Sequence, residues 1–107
     1  MSETASLAAV VLTFNEARNI VDCLESLAWA DHQVVLDGGP EAHSTDGTVE
    51  LARSAGAEVL FHPFQNYAQQ RNVALDRVDA EWVFFVDADE RCTPELTREI
   101  ESILAQD

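Results

Sequence analysis

Short unbroken apolar runs alternate with longer amphipathic stretches four times along this chain, and that alternation constrains the fold more than any other feature. Residues 7–13 (Leu-Ala-Ala-Val-Val-Leu-Thr), 33–37, 58–61 and 81–87 carry apolar side chains largely in succession. A strand of this kind has no solvated face, so it belongs in a parallel sheet covered on both sides. In the first and last intervening stretches, apolar residues recur at helical spacing, as in Ile20, Val21, Leu24 and Leu27, or Leu96, Ile100, Ile103 and Leu104. The order βαβαβαβα with short connections predicts an α/β, Rossmann-like parallel sheet with helices on both faces, for which the doubly wound strand order 3-2-1-4 is taken.

Local signals set the expected boundaries. Asn15 is placed to cap the first helix, with Glu16 in its first turn, where negative charge is favoured. Ser44 or Thr45 caps the second, which runs to about Ala55 with Val49, Leu51 and Ala52 inward, and Gly56 ends it. Pro63 stops the third strand, and residues 66–77 form the third helix, carrying Tyr67, Val73, Ala74 and Leu75. The fourth helix opens near Thr93-Pro94-Glu95, with proline in its first position, and buries Leu96, Ile100, Ile103 and Leu104. At 107 residues and 47% hydrophobic content, one domain over residues 1–107 with a modest core is expected.

Charge narrows the ligand classes. Twenty acidic residues against 6 basic ones give a formal net charge of −14. A nucleic-acid surface needs clustered cations to neutralise phosphates, so no nucleic-acid partner is expected. A phosphate-bearing ligand would need backbone dipoles, a few placed cations or a divalent metal to reverse the local field. No apolar run reaches the roughly 20 residues that span a bilayer, and Met1-Ser2-Glu3-Thr4 lacks the positive start of a signal peptide. Cys23 and Cys92, distant and outside any CxxC pattern, read as reduced thiols of a cytoplasmic protein. His32, His43 and His62 show no metal-ligand spacing.

The polar residues that remain collect at strand ends. Strand one finishes in Thr13-Phe14-Asn15-Glu16, strand two in Asp37 and strand four in Asp87-Ala88-Asp89-Glu90. Open α/β sheets bind ligands beyond the carboxyl ends of their strands, where strand order reverses. For order 3-2-1-4 that point lies between strands one and four, flanked by Asn15 and Asp87. Asp87-x-Asp89 places two carboxylates just past a strand, which suits a hard cation, Mg²⁺ or Mn²⁺, or else simply begins a turn. Asp37 either accepts hydrogen bonds from a base or sugar or forms the turn before Gly38-Gly39. Arg71 either reaches a phosphate or pairs with a surface acid. Glu16 either orients its loop or is an ordinary first-turn acid, and Phe14 packs near a base or in the core.

Taken together, Val-Leu-Thr-Phe-Asn-Glu (11–16), Val-Val-Leu-Asp (34–37), Ser-Thr-Asp-Gly-Thr (44–48), Gln-Arg-Asn-Val-Ala (70–74) and Val-Asp-Ala-Asp (86–89) resemble the family 2 glycosyltransferases. Leu27-Ala28-Trp29-Ala30-Asp31 is similar to the bacterial subgroup that includes lipopolysaccharide-core glucosyltransferases. The resemblance implies part of a GT-A fold, a nucleotide-sugar donor (usually UDP-linked), and inverting transfer to a glycan or lipid-linked acceptor. It implies that Thr13, Phe14, Asn15, Glu16 and Asp37 line the nucleoside pocket with Arg71 nearby, that Asp87 lies by ribose and metal, and that Asp89 ligates the metal. The metal would stabilise the departing diphosphate as a Lewis acid. The family's catalytic base and acceptor region are expected beyond residue 107. Six residues, 38–43, stand between Asp37 and Ser44 where the family has about two, which predicts a longer loop beside the base pocket.

The leading expectation is therefore a donor-binding domain for cell-envelope polysaccharide synthesis, with the full-length enzyme peripherally attached to a membrane. The alternative is a non-catalytic nucleotide-binding or self-assembling α/β module. A different doubly wound nucleotide-binding domain is disfavoured, because no G-x-G-x-x-G or Walker loop follows strand one. An uncovered strand four would leave an apolar edge, which predicts a homodimer.

Overall fold

The computed structural model describes residues 6–106; the Met1-Ser2-Glu3-Thr4 segment lies outside the described residues. Four strands and four helices alternate: β1 (Leu7–Thr13), α1 (Ala17–Glu25), β2 (His32–Asp37), α2 (Thr48–Ser54), β3 (Glu58–Phe61), α3 (Tyr67–Arg77), β4 (Trp82–Asp87) and α4 (Pro94–Gln106). The sheet is parallel, as the alternation predicts, with order β3-β2-β1-β4. The chain steps outward from β1 to β3, then crosses back to β4 on the other flank of β1. Because parallel crossovers are right-handed, this reversal puts α3 on the face opposite α1 and α2.

Alternate residues of β1 feed the two faces. Leu7, Ala9 and Val11 pack with Ile20, Cys23, Leu24 and Leu27 against the side that Ala52 and Leu104 also join. Val10 and Leu12 pack with Val34, Leu36 and Ala74 on the other. The first core is closed by three helices and the second by α3 alone. That asymmetry explains where burial departs from the sequence reading. On α3 only Gln70 and Ala74 are buried, while Tyr67 and Leu75 are 58% and 50% exposed. On α4 only Leu104 is fully inside; Ile100 packs partly against the core, and Leu96 and Ile103 face outward. Leu51 of α2 is also exposed. The fourth strand, expected to be buried, is half-buried because it forms a sheet edge with Trp82 40% exposed.

Two helix starts differ from the expected caps. Glu16, not Asn15, occupies the N-cap of α1, and its side chain makes no capping bond. Asn15 adopts a left-handed backbone, φ 54°, which asparagine tolerates better than most residues. The α2 helix begins at Thr48 after Gly47, so Ser44 and Thr45 lie upstream of it and serve elsewhere. Gly56 ends the second helix with φ 95°, as a left-handed C-terminal glycine should. No helix among the described residues is long and apolar enough to cross a membrane.

Candidate functional site

The sheet register assembles the site. Thr13 lies beside Asp37, and Leu12 beside Asp87, so β1, β2 and β4 deliver their polar ends to one edge. At the β2 end the carboxylate of Asp37 is completely buried. It accepts from the Thr13 hydroxyl at 2.6 Å, the Ser44 amide at 2.7 Å and the Ser44 hydroxyl at 2.5 Å. In this arrangement Asp37 organises the loop beyond it. Three of the carboxylate's roughly four lone-pair sites are thereby taken by protein donors.

That loop in turn caps α1. The Ser44 Oγ accepts from the Asn15 amide (2.7 Å), Thr48 Oγ1 from Glu16 (2.9 Å) and Asp46 from Ala17 (3.1 Å). Asn15 Oδ1 accepts in return from the Thr45 amide at 2.9 Å. Amides at the start of a helix have no partners within it, and here Ser44-Thr45-Asp46-Gly47-Thr48 supplies them from a neighbouring loop. The Thr48 hydroxyl and the Ala17 and Thr48 amides hold the Asp46 carboxyl below its usual range.

Between the β1 and β2 ends and α3 lies a cavity of about 260 Å³, lined among others by Thr13, Phe14, Glu16, Gly39, Tyr67 and Gln70. Gly39 presses on Phe14: a Cβ there would come within 2.4 Å of the ring. Phe64 and Tyr67 meet edge-on at 5.0 Å on the facing wall. Gln70, 1% exposed, donates through Nε2 to the His62 carbonyl at 2.9 Å, and its Oε1 lies 3.1 Å from His62 Nδ1. An amide oxygen cannot donate, so Nδ1 carries the proton. Arg71 does not line this cavity; its guanidinium stands 5.7 Å from the Tyr67 ring centroid, on the exposed side of α3. Thus Thr13, Phe14 and Glu16 reach the cavity, while Asn15 and Asp37 build the loop beside it.

The β4 end is different. Residues 87–90 form a turn closed by Glu90 N to Asp87 O at 2.9 Å, with Glu90 Oε1 accepting from the Asp87 amide at 3.1 Å. Ala88 points inward, and Asp87 and Asp89 are exposed. Beneath them the Cys23 thiol donates weakly to the Asp87 carbonyl, 3.7 Å away. Burial pushes that thiol up to about 11, against the lowering effect of nearby Arg91, so it stays protonated at neutral pH. Among the described residues no group of three or more His, Cys, Asp or Glu side chains is arranged to hold a metal. Two carboxylates do not make a protein-only metal cage. They do fit Mg²⁺ or Mn²⁺, which bind through one or two carboxylates and take waters and substrate phosphates as the rest. Asp87 and Asp89 would hold that ion, and it would supply charge neutralisation for a diphosphate.

Several participants lacked a clear sequence signal. Phe64 is recognisable only once α3 is packed over the cavity, while Gln70 had one clue as the first residue of the Gln-Arg-Asn-Val-Ala segment. Arg91 had one available clue, as one of the chain's 6 basic residues placed directly after Asp87-Ala88-Asp89-Glu90.

Comparison with known proteins places the fold that carries these residues. The pattern of the family described as Glycosyl transferase family 2 matches residues 8–106. A glycosyltransferase of Rickettsia bellii is 38% identical across 98% of this chain and 35% of its own length. The lipopolysaccharide core biosynthesis glycosyltransferase LpsC of Rhizobium meliloti is 35% identical across 92% of this chain and 37% of its own. The chain thus spans little more than a third of these relatives. Among solved structures, a mycobacterial protein superposes with a TM-score of 0.77 at 23% identity, over 96% of this chain and 38% of that one. Glucosyl-3-phosphoglycerate synthase from Mycobacterium tuberculosis, in complex with Mn²⁺, uridine diphosphate and glucosyl-3-phosphoglycerate, gives 0.75 at 23% identity, covering 94% of this chain and 40% of that one. At such identity the likeness is one of fold.

Proposed function

This chain belongs to glycosyl transferase family 2, and we propose that it forms the donor-binding part of such an enzyme. In this reading the cavity between Phe14 and Tyr67 takes the nucleoside of a nucleotide-diphosphate sugar, UDP-linked, with Thr13 and Glu16 at its rim. Asn15 and Asp37 shape the pocket through the 38–48 loop, and Arg71 is available to a phosphate from α3. Asp87 and Asp89 hold Mg²⁺ or Mn²⁺, and the ion receives the diphosphate. The observation that carries the reading is the pairing of an aromatic-walled, partly apolar cavity with two exposed carboxylates on the same sheet edge. The metal explains how a chain of net charge −14 holds an anion. Inverting transfer to a glycan or lipid-linked acceptor is proposed for the whole enzyme.

Calorimetric titration of UDP into the 107-residue chain, with and without Mn²⁺, tests the proposal. Mn²⁺ should strengthen UDP binding, and Asp89→Ala should abolish that gain, a loss of about 10- to 100-fold. UDP affinity indifferent to the metal, or an Asp89→Ala chain that retains the gain, overturns it. The exposed Leu96 and Ile103 of α4, which follows the edge strand β4, support self-association as a homodimer; a monomer by light scattering at high concentration contradicts that part.

A further inference from the structure

Arg91 directly follows Asp87-Ala88-Asp89-Glu90, yet among the described residues its hydrogen bonds go to carbonyl oxygens. Its Nη1 donates to the Ala88 carbonyl at 2.9 Å and to the Glu90 carbonyl at 2.8 Å, the two that flank Asp89. Its Nη2 donates to Asn19 Oδ1 on α1 at 3.2 Å. The Asn19 amide can adopt only one orientation here. A guanidinium only donates and a carboxylate only accepts, so Oδ1 faces Arg91 while Nδ2 donates to Glu16 Oε1 at 3.2 Å. A continuous set of bonds therefore runs from Glu16, on the cavity wall, through Asn19 and Arg91 to the backbone around Asp89.

The same face of α1 and its cap holds this segment at two further points. Cys23 donates to the Asp87 carbonyl, and the Ser26 hydroxyl accepts from the Cys92 amide at 3.0 Å while donating to the Cys23 carbonyl at 2.7 Å. Positions 19, 23 and 26 are spaced i, i+4 and i+7, a single helical stripe. By binding carbonyls, Arg91 leaves the Asp87 and Asp89 oxygens without a guanidinium partner.

We infer that Arg91, anchored by Asn19, is a positioning residue that fixes the 87–90 turn for metal and diphosphate. This rests on the proposed donor-binding function. It needs a planar fork of donors able to span three acceptors, which lysine lacks.

The test uses the 107-residue chain carrying Arg91→Ala, Arg91→Lys or Asn19→Ala, with UDP titrated with and without Mn²⁺. Both Arg91 variants should lower the Mn²⁺-dependent gain in UDP affinity about 10-fold or more, with metal-free affinity held within about twofold. Asn19→Ala should follow in the same direction. In the ligand-free protein the Glu90 amide should exchange about ten times faster in Arg91→Ala than in wild type, with core amides of β1 unchanged. Three outcomes overturn the inference alone: Arg91→Lys matching wild type, UDP affinity falling equally with and without metal, or unchanged Glu90 exchange. Wild-type protein without any Mn²⁺ gain overturns the donor-binding reading itself, and this inference with it.

Discussion

Asp37 closes β2 and Asp89 lies two residues past β4 in one parallel sheet, yet their surroundings are opposite. Asp37 is wholly buried and accepts three hydrogen bonds from Thr13 and Ser44. Asp89 is exposed, and among the described residues no hydrogen bond to its carboxylate is found. The first organises the protein and the second is available to a ligand. A carboxylate at a strand end is therefore ambiguous until its partners are known, because folding and binding call on the same residue type at the same place.

The comparison breaks most sharply on stability. Asp37→Ala strands the Thr13 and Ser44 hydroxyls and the Ser44 amide, and a buried donor left unpaired costs about 1–3 kcal/mol. We expect a loss of about 3 kcal/mol or more in urea unfolding, since three donors are affected. Asp89→Ala removes an exposed side chain and should shift stability by less than about 0.5 kcal/mol. Equal effects at the two positions would dissolve the distinction. Next in size is Gly39→Ala. The added methyl meets the Phe14 ring at 2.4 Å, so the ring must move, and because it is 44% exposed the cost in stability should stay below about 1 kcal/mol, less than overpacking a closed core. Because Phe14 also walls the cavity, UDP affinity should fall without metal as well as with it. A loss confined to the Mn²⁺ condition would show that Phe14 does not touch the nucleoside.

Much of the fold was legible in the sequence, for a reason that also marks where legibility stops. Runs such as Leu7–Thr13 are apolar on both faces because both faces are covered, and Pro94 and Gly56 mark helix ends through backbone chemistry that acts locally. The strand order agrees with the doubly wound arrangement assumed for the alternation, and crossover handedness accounts for the face each helix takes. Burial on α3 and α4 did not follow, since it depends on how many neighbours each helix has, and Tyr67 and Ile103 are exposed for want of them. Among site residues, Asp87 and Asp89 were visible by their spacing. The part played by Asp37 was not, because its partner Ser44 lies across a loop whose path no periodicity describes. Asn15 misled for a related reason: the capping of α1 comes from Ser44, Asp46 and Thr48, 29 to 32 residues away in sequence.

The smallest expected effect concerns that remote cap and extends the comparison to a third carboxylate. Asp46 is exposed like Asp89 but bonded like Asp37, accepting from Thr48 and Ala17. Its hydrogen bonds, the Thr48 hydroxyl first, depress its folded-state pKa below the ordinary 3.8. A depressed carboxylate stabilises fully above its unfolded value and loses that contribution as pH falls through the folded one. The wild-type chain should therefore be modestly more stable than Asp46→Asn at neutral pH, the effect limited by solvent screening. The gap should hold down to roughly pH 5 and close progressively below the ordinary Asp value. Chemical denaturation of both chains at stepped pH measures it, and the other carboxylates, present in both, cancel in the difference. A gap that persists unchanged into strong acid would mean that Asp46 acts through geometry alone, and exposed carboxylates on this edge would then divide by shape and not by charge.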